Sequence, residues 1–189
     1  EAKRLLLSQA ATNPRRGKDE IKVSFIDARK AYFNAKPSRE IFVALPEEDA
    51  SPGMCARLNW CMYGTRDAAK CWEDTYTRAL EEMGFRRGRT SSCTFWHIKR
   101  GMRMVVHGDD FTTTGRDEDL DWLEKEMSKR FEIKSRGRLG SGDKDDKEVT
   151  ILNRIVKWHD EGISYEADPK HVQTLCEMMG VEAGNSCVT

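Results

Sequence analysis

The chain has 189 residues with 32 basic and 32 acidic side chains, so its formal net charge is zero, and charged residues make up 34% of the sequence. That fraction exceeds the roughly 25% of a typical soluble domain, and the length suits one domain with a substantial core. No run approaches the roughly 18 apolar residues of a membrane helix, and the three leucines at 5–7 are too short for a signal peptide, so the sequence excludes a helical membrane protein and gives no sign of secretion.

The first half of the chain predicts strands around one long helix. Residues 1–20 are polar and are expected to be a lead-in, with room for a short helix in the first dozen. Apolar and polar residues alternate over 21–27, which predicts a strand, and a short helical or turn segment follows over 28–35. Residues 40–45 and 55–62 are two further candidate strands. The clearest helix covers 66–83, and its expected inward face consists of Ala69, Trp72, Tyr76, Leu80 and Met83.

The second half predicts two hairpins and two helices. Strands over 93–98 and 102–107 flank a turn at 99–101, and a strand over 111–114 follows Gly-Asp-Asp at 108–110. A helix over 117–130 has acids in its first turn and Leu120, Leu123 and Met127 inward. After a flexible loop over 140–148, residues 149–158 and 163–165 form a hairpin. A last helix begins at Asp168-Pro169 and ends at Gly180, with an inward face of Val172, Leu175 and Met179.

The order of these elements predicts the fold class. Strands and helices mix without strict β-α-β alternation, which favours an α+β fold built on an antiparallel sheet with helices on one face. One domain is expected over 21–180, after the lead-in over 1–20 and before a tail over 181–189. Because the chain begins Glu-Ala-Lys without Met, a piece of a longer polypeptide is expected.

The zero net charge hides segregated blocks. Residues 85–108 hold six bases and no acid, residues 109–128 hold eight acids and two bases, and residues 129–138 hold five bases and one acid. Such basic blocks can follow nucleic-acid phosphates, although each alone is more typical of a solvated face. The six cysteines include no C-x-x-C pair and no zinc-like spacing to a histidine, which indicates reduced thiols of an intracellular protein.

Two adjacent acids, Asp109 and Asp110, lie between apolar strands. Like charges at such a turn repel, and a divalent cation would relieve the repulsion. Mg²⁺ takes oxygen ligands and needs only one or two carboxylates alongside substrate phosphates. The alternative is ordinary turn chemistry, because Gly and Asp favour turns without any metal.

Asp27 closes a strand that is expected to be central, and ligands gather at strand ends. If that strand neighbours the 108–110 turn, Asp27, Asp109 and Asp110 can hold two Mg²⁺ ions about 3.5–4 Å apart. In-line phosphoryl transfer needs little beyond positioning and charge neutralisation. The three acids are therefore candidates for catalysis of nucleotide joining.

Five stretches, in order, resemble the reverse transcriptases of copia-type LTR retrotransposons. Residues 27–34, D-A-R-K-A-Y-F-N, are similar to that family's motif A, in which an aromatic residue follows an Asp by five positions. Residues 40–46 resemble E-I-Y-M-x-x-P, residues 58–72 resemble L-x-x-x-L-Y-G-L-K-Q-A-P-R-x-W, and residues 83–85 resemble L-G-F. V-H-G-D-D at 106–110 stands in the place of Y-V-D-D. The resemblance runs from about residue 22 to residue 180.

The resemblance implies an RNA-directed DNA polymerase segment of a Pol polyprotein, with a palm-like domain and partial fingers and thumb. Asp27, Asp109 and Asp110 would be both the catalytic and the metal-binding carboxylates, with a backbone carbonyl near Ala28 as a further ligand. The ion would be Mg²⁺, with Mn²⁺ as a substitute. Tyr32 would lie under the sugar of the incoming nucleotide and clash with a 2′-hydroxyl. The other substrate-binding residues implied are Arg29, Lys30, Ala31, Gly64 and Asp67.

The partners implied are an RNA or DNA template with its primer and deoxynucleoside triphosphates, without a membrane. The expected location is the cytoplasm, a virus-like particle or the nucleus. The sequence also departs from the family: Asp67 stands where the family has Gln, His107-Gly108 replaces Tyr-Val, and Ala69 replaces Pro.

These departures keep two alternatives open. One is a catalytically inactive remnant that binds nucleic acid through its basic segments. The other is an RNA-templated RNA polymerase, which the Gly-Asp-Asp tripeptide suggests and Tyr32 argues against.

Overall fold

A computed structural model describes residues 1–13, 19–167 and 169–180. Its α-helices, α1 to α4, cover Ala2–Ala11, Ala68–Glu82, Asp117–Ser128 and Pro169–Met179. Its strands, β1 to β11, cover Lys22–Ala28, Phe42–Val43, Ala56–Arg57, Arg86–Arg87, Thr94–His97, Met102–His107, Asp110–Gly115, Ile133–Leu139, Glu148–Ile151, Arg154–His159 and Gly162–Ala167. Two short 3-10 helices cover Ala31–Asn34 and Glu47–Asp49. None of the helices in these ranges is long and apolar enough to cross a membrane.

A six-stranded sheet with the order β4-β5-β6-β7-β1-β8 forms the centre of the molecule. Every neighbouring pair in it is antiparallel, and β1 lies between β7 and β8. A three-stranded sheet, β11-β10-β9, and the small pair β2-β3 complete the strands of the described ranges. The predicted α+β class with an antiparallel sheet is confirmed.

The two faces of the central sheet pack against different partners. Successive side chains of a strand point to opposite faces. Ile26, Met104 and Phe111 pack with the buried sides of α2 and α3 in one core cluster. Val23 and Phe25 pack in a second cluster with α1 and the three-stranded sheet. The two longer predicted helices therefore share a face, as expected, while α1 lies on the opposite face.

Helix α2 illustrates how far periodicity carries. The predicted inward residues Trp72, Tyr76, Leu80 and Met83 are buried. The prediction is wrong for Ala69, which is exposed, and Ala68 is buried instead. The buried stripe runs in steps of four from Ala68 through Trp72, Tyr76 and Leu80, which rotates Ala69 toward solvent.

The N-terminal segment also contributes to the core. A helix forms in the first dozen residues, and Leu6, Leu7 and Ala10 are buried against the sheet. The segment predicted as a polar lead-in thus supplies one layer of the packing. Residues 14–18 lie outside the described ranges.

Several predicted strands differ from the structure. The strands predicted over 40–45 and 55–62 shrink to the two-residue strands β2 and β3. The strand predicted over 149–158 is two strands, β9 and β10, because Leu152 and Asn153 adopt positive φ values of 47° and 55° and make a turn. β4 and β8 were not predicted.

The last helix forms over Pro169–Met179, but its predicted inward face is wrong. Val172, Leu175 and Met179 are 59%, 59% and 74% exposed. The predicted cap at Asp168 and the tail over 181–189 lie outside the described ranges. Cysteines 55, 61, 71, 93 and 176 are free thiols, as predicted, while Cys187 is not described.

Candidate active site

The hairpin of β6 and β7 positions the adjacent acids. His107 pairs with Asp110, which leaves Gly108 and Asp109 as a two-residue turn. Gly108 has φ 63°, the left-handed conformation that the first central residue of a type II′ hairpin turn requires and that glycine adopts without strain. The indole Nε1 of Trp72 donates a hydrogen bond of 2.9 Å to the Gly108 carbonyl, so α2 holds the turn from below.

Strand β1 brings Asp27 to the same place. Asp27 is the direct cross-strand partner of Asp110, and the amide of Ala28 donates to the Asp109 carbonyl at 2.9 Å. Directly opposed residues of an antiparallel pair point to the same face. Asp27 and Asp110 therefore lie side by side on the face of the sheet that faces away from α2 and α3.

The electrostatics of this pair show mutual repulsion. Burial raises the pKa of Asp110, and the negative charges of Asp109 and Asp27 raise it further, while Lys3 and Arg136 act in the opposite direction. Arg136 donates from Nη2 to Oδ1 of Asp27 at 3.2 Å. The acids are thus a crowded negative cluster with two basic neighbours.

The donor atoms of the cluster suit a divalent ion, but the side chains are not arranged closely around one common point. Carboxylate oxygens in close repulsion are the donors that Mg²⁺ prefers. Within residues 1–13, 19–167 and 169–180, however, no three His, Cys, Asp or Glu side chains are gathered closely enough to hold a metal ion. Asp27 and Asp110 face each other across the strands, and Asp109 adjoins them from the turn.

The chain after β1 folds into a tight turn beside the acids. Lys30 is exposed with φ 51°, and Ala31 is buried at the start of the 3-10 helix. Nδ2 of Asn34 donates to the carbonyls of Arg29, Lys30 and Ala31 at 3.1–3.3 Å. Arg29 Nη1 contacts Glu132 Oε1 at 2.8 Å. Asn34 therefore fixes the turn that carries three of the predicted substrate-binding residues.

Aromatic side chains lie next to that turn. The ring of Tyr32 is half-buried, and its centroid is 4.5 Å from that of Tyr63, which in turn lies 5.7 Å from Phe33. Burial raises the pKa of Tyr63, and the charge of Asp109 adds to the effect, which places Tyr63 within electrostatic reach of the acids. Gly64 follows with φ 87° and open space where a side chain would stand.

Asp67 is held by two neighbours. Ser38 Oγ donates to Asp67 Oδ2 at 2.6 Å, and Arg39 Nε lies 3.8 Å from Oδ1. The bond from Ser38 holds the pKa of Asp67 below its usual range. The negative charge of Asp67 is therefore stabilised by Ser38 and Arg39.

Sequence reasoning missed Arg136, Lys3 and Asn34 as members of this site. Arg136 lies in β8, which has no clear period-two pattern, and Lys3 lies in a segment predicted to be a lead-in. Asn34 carried a usable signal, because a short amide side chain after a turn commonly bonds to nearby backbone.

A comparison with protein-family profiles matches residues 1–141 to a family described as reverse transcriptase (RNA-dependent DNA polymerase). The match covers about three quarters of the chain. It includes α1, the whole central sheet and all nine residues predicted for the site.

Proposed function

Because the chain belongs to the reverse transcriptase (RNA-dependent DNA polymerase) family, we propose that it is the palm-centred segment of a copia-type retrotransposon polymerase. In this proposal it adds deoxynucleotides to a primer 3′-hydroxyl on an RNA template, and Asp27, Asp109 and Asp110 are its catalytic acids.

The observation that carries the proposal is the pairing of Asp27 with Asp110 across β1 and β7, with Asp109 in the adjoining turn. Two stretches 82 residues apart in sequence meet there in a repelling acidic cluster. Two acids placed directly opposite each other destabilise a sheet. A need for structural ion pairs therefore does not account for this arrangement. Binding of cations would relieve the repulsion among these acids.

The roles of the residues follow from their positions. Asp27, Asp109 and Asp110 would hold the divalent ions, which when bound lower the pKa of an attacking hydroxyl and stabilise a leaving pyrophosphate. The backbone amides of Lys30 and Ala31 would meet the triphosphate, whereas the amide of Arg29 already donates to the Glu132 carbonyl at 2.8 Å.

The ring of Tyr32, backed by Tyr63, would exclude a nucleotide with a 2′-hydroxyl. Gly64 and Asp67 would border the nucleotide from the start of α2.

Primer extension tests the proposal. The chain is incubated with an RNA template, a DNA primer, Mg²⁺ and deoxynucleotides, and extended primer is measured on a gel. Asp110→Asn should reduce extension by about a hundredfold or more, since it removes charge stabilisation at the reacting centre. Asp143→Asn, an exposed loop acid, is the matched control and should extend as the wild type does. Extension by Asp110→Asn at the wild-type rate would contradict the assignment.

Sugar selection gives a second readout. Tyr32→Ala should incorporate ribonucleotides better than the wild type when both sugars compete. A wild type that prefers ribonucleotides would favour an RNA polymerase instead.

A nucleic-acid-binding remnant is the second candidate, and the basic hairpin favours it. Lys99 and Arg103 are exposed on the β5–β6 hairpin. For such a remnant, binding should fall steeply with salt and be indifferent to Mg²⁺.

A further inference from the structure

A β-bulge turns one arginine onto the acidic pair. In the pairing of β1 with β8, Ile26 faces Ser135 while Phe25 faces Gly137, so Arg136 is the extra residue of the bulge. Bulges re-aim a side chain and leave the extra residue outside the ladder. The re-aimed guanidinium contacts Asp27 Oδ1 at 3.2 Å.

Gly137 allows this bulge to form. It has φ 140°, and a Cβ there would lie 2.8 Å from Asp146 Oδ2 and 2.8 Å from Val149 Cγ2. Both contacts are closer than real Cβ atoms approach their neighbours. The bulge thus fixes the backbone position from which the Arg136 side chain reaches Asp27.

A second basic side chain whose charge acts on the pair is Lys3 of α1. Helix α1 packs Leu6 and Leu7 into the core on the face that carries Asp27 and Asp110. One turn earlier, the Nζ of Lys3 is buried and has no hydrogen-bond partner within the described part of the chain. Burial lowers the pKa of Lys3, and the negative charge of Asp110 acts in the opposite direction.

We propose that Arg136 and Lys3 are internal counter-cations that compete with divalent ions for Asp27 and Asp110 and so determine the affinity of the site for those ions. This inference rests on the proposed function, because it takes the acidic pair as the ion-binding group. The positive charge of Arg136 offsets the negative charge of Asp27, and the positive charge of Lys3 acts on Asp110. An arriving ion must bind against the repulsion of both cations. The chain therefore binds divalent ions more weakly than the same acids would alone.

Direct titration with Mn²⁺ in 0.1 M salt, followed by the electron paramagnetic resonance signal of the free ion, tests the inference without a measurement of activity. Arg136→Gln and Lys3→Met each remove one positive charge and should tighten Mn²⁺ binding by about three- to tenfold. The double variant should bind more tightly than either single one. Arg136 is 45% exposed, so its removal should leave the thermal unfolding midpoint nearly unchanged.

Three controls separate the local effect from other causes. Arg136→Lys keeps the charge and should bind Mn²⁺ as the wild type does. Lys99→Gln removes the same charge at the far end of β6, beyond the roughly 10 Å screening length of 0.1 M salt, and should not tighten binding. Asp110→Asn should weaken binding in every background.

The outcomes distinguish this inference from the proposed function. If Asp110→Asn weakens Mn²⁺ binding but neither Arg136→Gln nor Lys3→Met tightens it, the counter-cation role is wrong and the metal site stands. If Lys99→Gln tightens binding equally, the effect is one of net charge and the inference also fails. If Asp110→Asn leaves Mn²⁺ binding unchanged, the ion lies elsewhere, and both the metal site and the inference are overturned.

Discussion

Trp72 links the helical layer to the acidic turn through a single side chain. Its ring is buried between Phe131, at a centroid distance of 5.1 Å, and Tyr76, at 5.5 Å, and its Nε1 holds the Gly108 carbonyl. A side chain that both fills the core and bonds the turn at Gly108 and Asp109 should affect stability and turn position together.

Trp72→Phe should therefore destabilise the chain by about 2–4 kcal/mol, from a smaller ring in the core and a carbonyl deprived of its donor. Urea unfolding measures the loss. Trp60→Phe is the matched control, because Trp60 is about half exposed, and it should cost less than about 0.5 kcal/mol. Equal losses in the free energy of unfolding for the two substitutions would show that neither the packing of Trp72 nor its bond to Gly108 stabilises the fold.

At the residue scale, the acids of the site could be predicted from the sequence, but their basic neighbours could not. Asp27 lies near the end of β1, Asp109 in the turn after β6 and Asp110 at the start of β7. Because the apolar patterns of the adjoining strands are strong, the approximate places of these acids follow from periodicity. The contact of Arg136 with Asp27, 109 residues earlier, depends on a β-bulge in the pairing of β8 with β1, and no pattern in either strand predicts that bulge. The structure places the acids together, while their chemical roles stay predictions.

At the scale of elements, a buried lysine joins β1 to two other segments. Lys22 donates to Asp117 Oδ2 at 2.5 Å, at the start of α3, and to Asp145 Oδ1 at 2.8 Å, in the loop before β9. Arg138 of β8 adds a bond to Asp117 at 2.9 Å. The loop predicted to be flexible is thus tied to the sheet by an ion pair.

The pH dependence of stability should reveal this cluster. Burial pushes the pKa of Asp117 up, but the bonds from Lys22 and Arg138 outweigh it and hold the pKa below its usual range. A depressed carboxyl pKa stabilises the fold above the unfolded value of about 3.9, and this contribution is lost as the pH falls through the folded value. The stability gap between wild type and Asp117→Asn should therefore shrink between pH 5 and pH 2.

Thermal unfolding midpoints across that range measure the gap. Asp143→Asn should keep the pH profile of the wild type, since Asp143 is exposed. A constant gap between wild type and Asp117→Asn at every pH would show that the ion cluster does not stabilise the fold.

An element could be predicted from the sequence when one of its faces is buried and apolar and the other is exposed and polar. α3 has Leu120, Leu123 and Met127 buried as predicted, because one apolar stripe faces one core. β8 has exposed polar residues through its middle, so only its pairing with β1 defines it as a strand. α4 has an amphipathic pattern, yet its apolar residues are exposed. Periodicity predicts that a helix has an apolar face, but it does not predict which element packs against that face.

At the scale of the molecule, one sheet separates two cores. Leu123 belongs to the cluster beneath α2 and α3, and Leu7 to the cluster beneath α1. Because both clusters share the strands β1 and β6, loss of either should weaken the same sheet.

Leu7→Ala and Leu123→Ala should each destabilise the chain by about 2–5 kcal/mol and shift one common unfolding transition. Circular dichroism and tryptophan fluorescence, recorded on the same samples, should give coinciding curves. Leu5→Ala, at an exposed position of α1, should change little. A separate early transition in Leu7→Ala would mean that α1 and its cluster unfold independently of the sheet.

The two outer strands of the open sheet have one property in common. β4 consists of two arginines and only two residues, and β8 carries a lysine and two arginines along its length. Natural sheets protect unpaired rims from intermolecular strand addition with short strands and cationic side chains. The short β4 and the basic side chains along both outer strands therefore oppose the addition of a strand from a second copy.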